Sequence, residues 1–349
     1  MDRAELEQMV REGEVVTRVA LGRVDLTGAS LAGATFQEVD LRGAILSRAQ
    51  LDDGVFVDCD FSGCDLRGAN LRRSRVQAGE LREARLDGAD LVAASFTECD
   101  LEGAILARVR ATTTTFADSR LQRVSFADAD LARSVFADVA LDGARVAGAN
   151  LKSVSFFRAD LRALDLPAAK LSTTMFVEAD LGPQDFSGRR LDRCQFVSAS
   201  LRGARFEGAD VTQSNFQGAD LAGAVFERAV APRCVFIAAK LAASVFRGAV
   251  LVQSLFVDAD LASAILTGAN LEQAQFTRAK ARGASFASAN LTYADFSHAD
   301  VRDADFSDAK LFRARFHRTA DQGARFTTRA LALGDDAELA RAEDFKAPQ

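Results

Sequence analysis

The 349-residue chain has no tryptophan, only four prolines and only two histidines. Without tryptophan, and with so little proline, neither a mixed globular core nor ordinary long loops fit, so connections must be very short. No run of 18 or more apolar residues is present, so the sequence offers no membrane-spanning helix. Net charge is scarce too: 43 Lys plus Arg against 49 Asp plus Glu leave −6, with the signs interleaved along the chain. Nothing in that balance calls for nucleic acid. The first twenty residues carry Asp2, Glu5, Glu7 and Glu12 where a secretory signal needs a basic start and an apolar core, which points to the cytoplasm.

What is present is a period of five. From Val19 to Thr328 a Leu, Phe or smaller apolar residue recurs at every fifth position with no insertion. Leu21, Leu26, Leu31, Phe36, Leu41, Leu46 and Leu51 open the series, and Phe296, Val301, Phe306, Leu311 and Phe316 continue it. Asp321 is the polar exception before Phe326. Five matches neither the 3.6 of a helix nor the 2 of a flat strand, so the pattern reads as a solenoid whose units pack on their neighbours. Two places before each centre stands a small residue, as at Ala29, Ala34, Ala44, Ala69, Ala89 and Ala94. A position restricted to small residues faces a crowded interior, so two side chains of every five point in. The other three collect the Asp, Asn, Arg, Ser, Thr and Gly of turns and solvated surface.

Units such as Ala69-Asn70-Leu71, Ala89-Asp90-Leu91, Ala149-Asn150-Leu151, Ala219-Asp220-Leu221 and Ala269-Asn270-Leu271 resemble the pentapeptide-repeat proteins. The resemblance covers about nine tenths of the chain. It implies an all-β solenoid, a right-handed four-sided (quadrilateral) parallel β-helix with one unit per face and twenty residues per turn. With turns about 4.8 Å apart, some fifteen would make a rod roughly 75 Å long. Family members that protect DNA gyrase resemble duplex DNA in size and charge and dimerise through a C-terminal element. The chain also resembles the repeat portion of bacterial secretion-associated proteins, which would make it a passenger or adaptor.

Sorted at twenty residues per turn, one face runs Phe36, Phe56, Val76, Phe96, Phe116, Phe136, Phe156 and on to Phe316. The opposite face changes from Leu to mostly Phe after Phe126, and the other two are almost wholly Leu. Such columns read as core packing, with Ala111, Ala231, Ala281, Val211 and Val301 supplying space for the rings. The outer positions of the first Phe face are apolar more often than a solvated surface needs. Val55, Val57, Val135, Phe157, Met175, Val177, Val197, Val235, Ile237, Leu255 and Val257 form the candidate interaction surface, weighed against ordinary β-propensity.

One segment departs from the frame: between Leu161 and Leu191 the interior small position holds Leu164, Thr174, Gln184 and Arg189, and Pro167 and Pro183 remove backbone donors. Because Arg189 cannot lie unpaired in a core, a bulge or kink is expected near 182–190. At the ends, residues 1–18 form an expected helical cap, with a capping box at Asp2 and Glu5, and Leu6, Met9 and Val10 on one face before Gly13. Residues 19–328 are the repeat. Residues 329–349 form a C-terminal helix and tail, with a second capping box at Asp335 and Glu338 and an apolar edge of Leu339, Ala342 and Phe345 ahead of Pro348.

No catalytic, cofactor or metal site emerges. Cys59, Cys64, Cys99, Cys194 and Cys234 all take small interior positions. The pairs sharing a face lie two turns or roughly 9.6 Å apart, too far for a disulfide. His298 and His317 take outer positions of one face in adjacent turns, and no nucleophile or carboxylate constellation stands beside them. The expected function is therefore a non-enzymatic rigid rod, a scaffold or spacer binding a protein or a second copy along one face or at its C-terminal end. The alternative is a DNA mimic that binds DNA gyrase or another type II topoisomerase. Its acidic column would be Asp40, Asp60, Asp100, Asp160, Asp180, Asp220, Asp260 and Asp300, but Arg42, Arg82, Arg162, Arg202, Lys280 and Arg302 lie beside it.

Overall fold

A computed structural model describes residues 1–345, so the expectation about the tail at Pro348 lies outside the described residues. By internal contacts the chain divides into two compact units, Met1–Asp180 and Leu181–Gln349, and each is a parallel β-solenoid.

In the first unit nine three-residue strands pair in sequence order into one parallel sheet: β1 (Val15–Thr17), β2 (Thr35–Gln37), β3 (Val55–Val57), β4 (Arg75–Gln77), β5 (Ser95–Thr97), β6 (Thr115–Ala117), β7 (Val135–Ala137), β8 (Ser155–Phe157) and β9 (Met175–Val177). Each pairing advances the register by twenty residues, as in Val16 with Phe36 and Phe36 with Phe56. Three further ladders of single bridges run beside it, represented by Ala20–Asp40, Asp25–Ile45 and Ser30–Gln50. The second unit keeps the same four ladders, as in Asp185–Arg205, Arg190–Asp210, Gln195–Asn215 and Ser200–Asp220. Short strands also form there at β10 (Asp305–Phe306) and β11 (Arg325–Phe326).

The five-residue unit folds this way because each corner is a tight turn. The carbonyl of Leu26 accepts from Ala29 N–H at 2.9 Å, and the residue between them, Gly28, has φ +64°. That left-handed corner suits glycine, yet Asp53 (φ 57°) and Arg228 (φ 55°) occupy equivalent corners. Their strain, about 1–2 kcal/mol per residue, is offset because the same N–H donates to the next turn, Asp53 to Arg72 O at 2.9 Å and Arg228 to Arg247 O at 2.9 Å. After each corner the small residue and the centre turn inward, and nearly all of them are buried, the exceptions lying near 169–189 and at the ends of the repeat.

The phenylalanine columns are internal ladders. In the second unit Phe216 stacks on Phe196 at 4.8 Å and on Phe236 at 5.0 Å, and meets Phe206 and Phe226 of the opposite column edge-on at 5.9 and 5.8 Å. Val211, Ala231, Ala281 and Val301 are fully buried on the Leu faces of that unit. Serine or threonine at interior small positions returns its hydroxyl to backbone: Thr114 donates to Leu91 O at 2.7 Å and Ser254 to Ala231 O at 2.8 Å.

The irregular segment resolves into two local events. In the first unit Leu166–Ala168 form a 3-10 turn carrying Pro167, and Ala169 beside it is only half-buried. In the second unit proline cannot adopt positive φ, so at Pro183 the left-handed residue moves one place earlier, to Gly182 (φ 53°). Arg189 leaves the interior position that the frame would give it: its N–H keeps the corner bond to Phe186 O at 3.0 Å, but the residue is exposed, because burying an uncompensated guanidinium costs more than opening one corner. Gln184 is half-buried, while Leu164 and Thr174 are buried as placed by the frame.

Both units carry a helix. Helix α1 (Arg3–Arg11) has the Asp2–Glu5 capping box and buries Leu6. It satisfies the exposed edge of the first turn: Arg3 donates to Thr27 O (2.8 Å) and Gly28 O (3.1 Å), and Glu7 accepts from Ser30 N–H (3.0 Å). Helix α2 (Ala337–Asp344) differs from expectation twice. Its N-cap is Asp336, which accepts from Glu338 and Leu339 N–H, because Asp335 is occupied accepting Arg318 N–H at 2.7 Å. Its apolar edge does not pack: Leu339, Ala342 and Phe345 are exposed, and polar contacts hold the helix instead. Before it, Leu331 O accepts from Arg313 N–H and Leu333 pairs with Arg315, extending the ladder past Thr328. Arg329, paired with Asp321, covers the rings of Phe316 (4.6 Å) and Phe326 (5.1 Å). Among the described residues no helix is long and apolar enough to cross a membrane.

Candidate functional site

The eleven apolar positions flank the inward Phe residues, on the ladder that in the first unit is the nine-stranded sheet. Most are half-buried, and Phe157 is exposed. In the first unit they do not form one stripe. Val55 and Val57 pair onward with Arg75 and Gln77, and Ser95, Thr97 and Thr115 separate them from Val135. Phe157 and Val177 pair directly, with Met175 across β9. In the second unit Val197 is cut off by Gln217, whereas Val235, Ile237, Leu255 and Val257 form a contiguous quartet, with Val235 bridged to Leu255.

Two flanking ladders extend this quartet. Val230 pairs with Val250, at 42% and 37% exposure, and Val225 pairs with Val245, which pairs with Ile265. Sorting outer positions on a single face misses these residues; the same sorting on the adjacent ladders brings them out. The result is an apolar band across three ladders of consecutive turns, interrupted by Glu227, Arg228, Arg233 and Arg247. Arg233 is turned aside to Gln253 (3.0 Å), and Glu227 lies 3.6 Å from Arg247.

The acidic column is largely neutralised where it stands. In the first unit Arg42 holds Asp40 at 2.6 Å and reaches Asp60 at 3.5 Å. Arg82 and Arg120 both pair with the buried Asp100, at 2.6 and 3.2 Å, and Arg162 bridges Asp160 and Asp180. The hydrogen bond from Arg42 holds the Asp40 carboxyl down to about 2. In the second unit Arg202 pairs with Asp220 and Arg302 with Asp300. Other surface arginines are treated alike: Arg73 pairs with Asp53, Arg72 and Arg110 share Asp90, and Arg190 and Arg193 share Asp192. Neither sign is left as a continuous field.

All five cysteines are buried thiols outside any disulfide, and burial pushes Cys64 and Cys234 up to about 12 and Cys99 to about 11, which makes these three poor nucleophiles. The reading of the histidines changes. His317 is fully buried, and the carboxylate missing from the local sequence arrives from α2: Glu343 lies 3.1 Å from His298 Nε2 and 3.3 Å from His317 Nε2. Burial opposes ionisation of Glu343, but the hydrogen bonds from His317 and His298 outweigh it and hold the carboxyl below its usual range. Arg318 reaches the same helix through Ala340 O (2.9 Å), Asp344 (2.6 Å) and Glu343 (3.2 Å). Among the described residues this is the one cluster with a metal-ligating donor set.

Comparison with known proteins places the repeat. A family profile described as a pentapeptide repeat region matches residues 29–106 and 89–166. Another, described as pentapeptide repeats (8 copies), matches 185–218, 254–292, 269–308 and 289–327. Among solved structures, the chain is similar to HetL, a pentapeptide-repeat protein involved in heterocyst differentiation regulation in the cyanobacterium Nostoc sp. strain PCC 7120. Identity is 25%, coverage 90% of this chain and 96% of that one, and the TM-score 0.24. QnrB1, a plasmid-mediated fluoroquinolone resistance protein, aligns at 17% identity over 71% of this chain and 96% of its own, with a TM-score of 0.21. A pentapeptide-repeat protein of the Arabidopsis thaliana thylakoid lumen shares 33% identity over 36% of this chain and 69% of its own, with a TM-score of 0.21. No curated protein matches.

Proposed function

This chain belongs to the pentapeptide-repeat family, and from that premise we propose that it is a non-enzymatic scaffold that engages a protein partner, or a second copy of itself, through its apolar outer positions. The observation that carries this reading is the quartet Val235, Ile237, Leu255 and Val257. It is a contiguous apolar patch on a surface where neighbouring charges pair, as Glu227 with Arg247 and Asp258 with Arg278. Ordered ladders hold the patch rigid, so little side-chain or backbone entropy is lost when it is covered. Phe157, Met175 and Val177 form a smaller patch of the same kind in the first unit. Within this proposal residues 1–18 cap the repeat, 19–328 carry it, and 329–349 close it.

A topoisomerase-directed DNA mimic is the second reading, and the acidic column favours it. Mimicry requires an unneutralised run of charge, and the Arg42, Arg82, Arg120 and Arg162 pairs weigh against that. The two are separated by replacing the quartet with Ser or Thr. Under the scaffold reading the substituted protein stays folded and loses its partner or its self-association. Inhibition of gyrase supercoiling by the wild type, retained by the substituted protein, would favour mimicry instead.

A further inference from the structure

Helix α2 is held on the second unit by a cluster that ordinary surface packing does not require. His298 and His317 come from consecutive turns, their rings perpendicular (88°) with centroids 5.5 Å apart, and Glu343 stands between them. The three ligand atoms all lie within 4.8 Å of one another. Zinc binds imidazole nitrogen and carboxylate oxygen at about 2.0–2.2 Å, and a tetrahedron of that size has edges of roughly 3.3 Å. One edge already has that length, His298 Nε2 to Glu343 Oε1 at 3.1 Å, and His317 Nε2 lies 3.3 Å from the other oxygen of the same carboxylate, Oε2. The remaining edges close by rotation of the Glu343 carboxylate and of His298, whose side chain is 37% exposed and leaves an entry path and room for a fourth, water ligand. We infer that His298, His317 and Glu343 form a zinc site that fastens α2 to the last turns of the repeat.

The surroundings suit a cation. Asp335, Asp336, Glu343 and Asp344 crowd the site beside the guanidinium of Arg318, which is engaged by Ala340 O, Asp344 and Glu343 Oε2 and leaves Glu343 Oε1 to the metal. Without metal, His317 Nδ1 accepts Asp336 N–H at 3.1 Å, so the ring proton sits on Nε2 and is donated to Glu343. Metal takes the Nε2 lone pair, the ring proton moves to Nδ1, and its new acceptor is Asp335 Oδ1, 3.8 Å away. Asp336 N–H then turns to water. The ring stays neutral, and Asp335 becomes the outer carboxylate that orients a metal-bound imidazole.

The test is calorimetric titration of the chelator-treated full chain with Zn²⁺ alone, with Co²⁺ as a spectroscopic probe and hydrogen exchange over residues 337–344. One zinc per chain, visible absorption typical of tetrahedral Co²⁺, and slowed exchange across α2 are expected. His298→Ala and Glu343→Gln should each weaken binding at least tenfold, and Asp335→Asn by about 10–100-fold, as loss of an outer-shell partner does. Because His317 is buried, His317→Gln is interpreted only alongside circular dichroism; the exposed His298 variant keeps the test decisive. No zinc uptake, or uptake unchanged in His298→Ala and Glu343→Gln, would overturn the site.

Discussion

Truncating Phe216 to Ala tests the inward assignment of the repeat most severely. The ring is fully buried, stacked between Phe196 and Phe236, and met edge-on by Phe206 and Phe226. Loss of a buried ring costs about 3–5 kcal/mol. The upper half of that range is expected, because each aromatic pair adds about 0.5–1.5 kcal/mol beyond its buried area. The cavity cannot readily collapse, since Phe216 N–H is fixed to Val235 O at 2.6 Å and Val235 N–H to Ser214 O at 3.0 Å. Gln217, the next residue, is exposed, so Gln217→Ala should stay within about 0.5 kcal/mol. Urea unfolding followed by circular dichroism reads both variants. Because solenoid turns are stabilised by their neighbours, the Phe216 variant should also broaden the transition as the flanking turns uncouple. Equal midpoints for the two variants would refute the packing scheme.

Two further outcomes follow from the surface and the thiols. Asp40 has its folded-state value depressed to about 2 by Arg42, so its contribution to stability is complete above the ordinary carboxylate range and is lost as pH falls through about 2. Asp40→Asn should therefore lower stability above about pH 4 and flatten the profile between about pH 4 and 2. The buried thiols, Cys64, Cys99 and Cys234 being held protonated at pH 8, should resist a thiol reagent in the folded protein, and all five should react in denaturant. Rapid labelling of the native chain would contradict their interior placement.

The twenty-residue turn was legible because every inward position repeats in sequence: a small residue, then Leu or Phe, with no insertion to lose the frame. The stacked Phe columns follow directly from that arithmetic. That the frame fails near Arg189 was legible from its charge, but the form of the departure was not: Pro183 shifts the left-handed residue to Gly182, and Arg189 turns out to solvent. The His298–His317–Glu343 cluster was out of reach for another reason: Glu343 lies outside the repeat, and no periodicity connects α2 to the turns it covers. The quartet was visible as apolar residues, but its continuity depends on ladder neighbours. Gln217 and Arg75 interrupt the other positions, whereas Val235 and Leu255 pair.

The central claim, that the protein acts through apolar positions and not through its acidic column, is tested most directly by light scattering and affinity capture on three proteins. One is the wild type, one carries Val235→Thr, Ile237→Thr, Leu255→Ser and Val257→Thr, and one carries Asp40→Asn, Asp60→Asn, Asp220→Asn and Asp260→Asn. The quartet variant should remain folded and lose the dimer or the captured partner, and the Asn variant should keep it. Loss of binding in the Asn variant with full retention in the quartet variant would contradict the account.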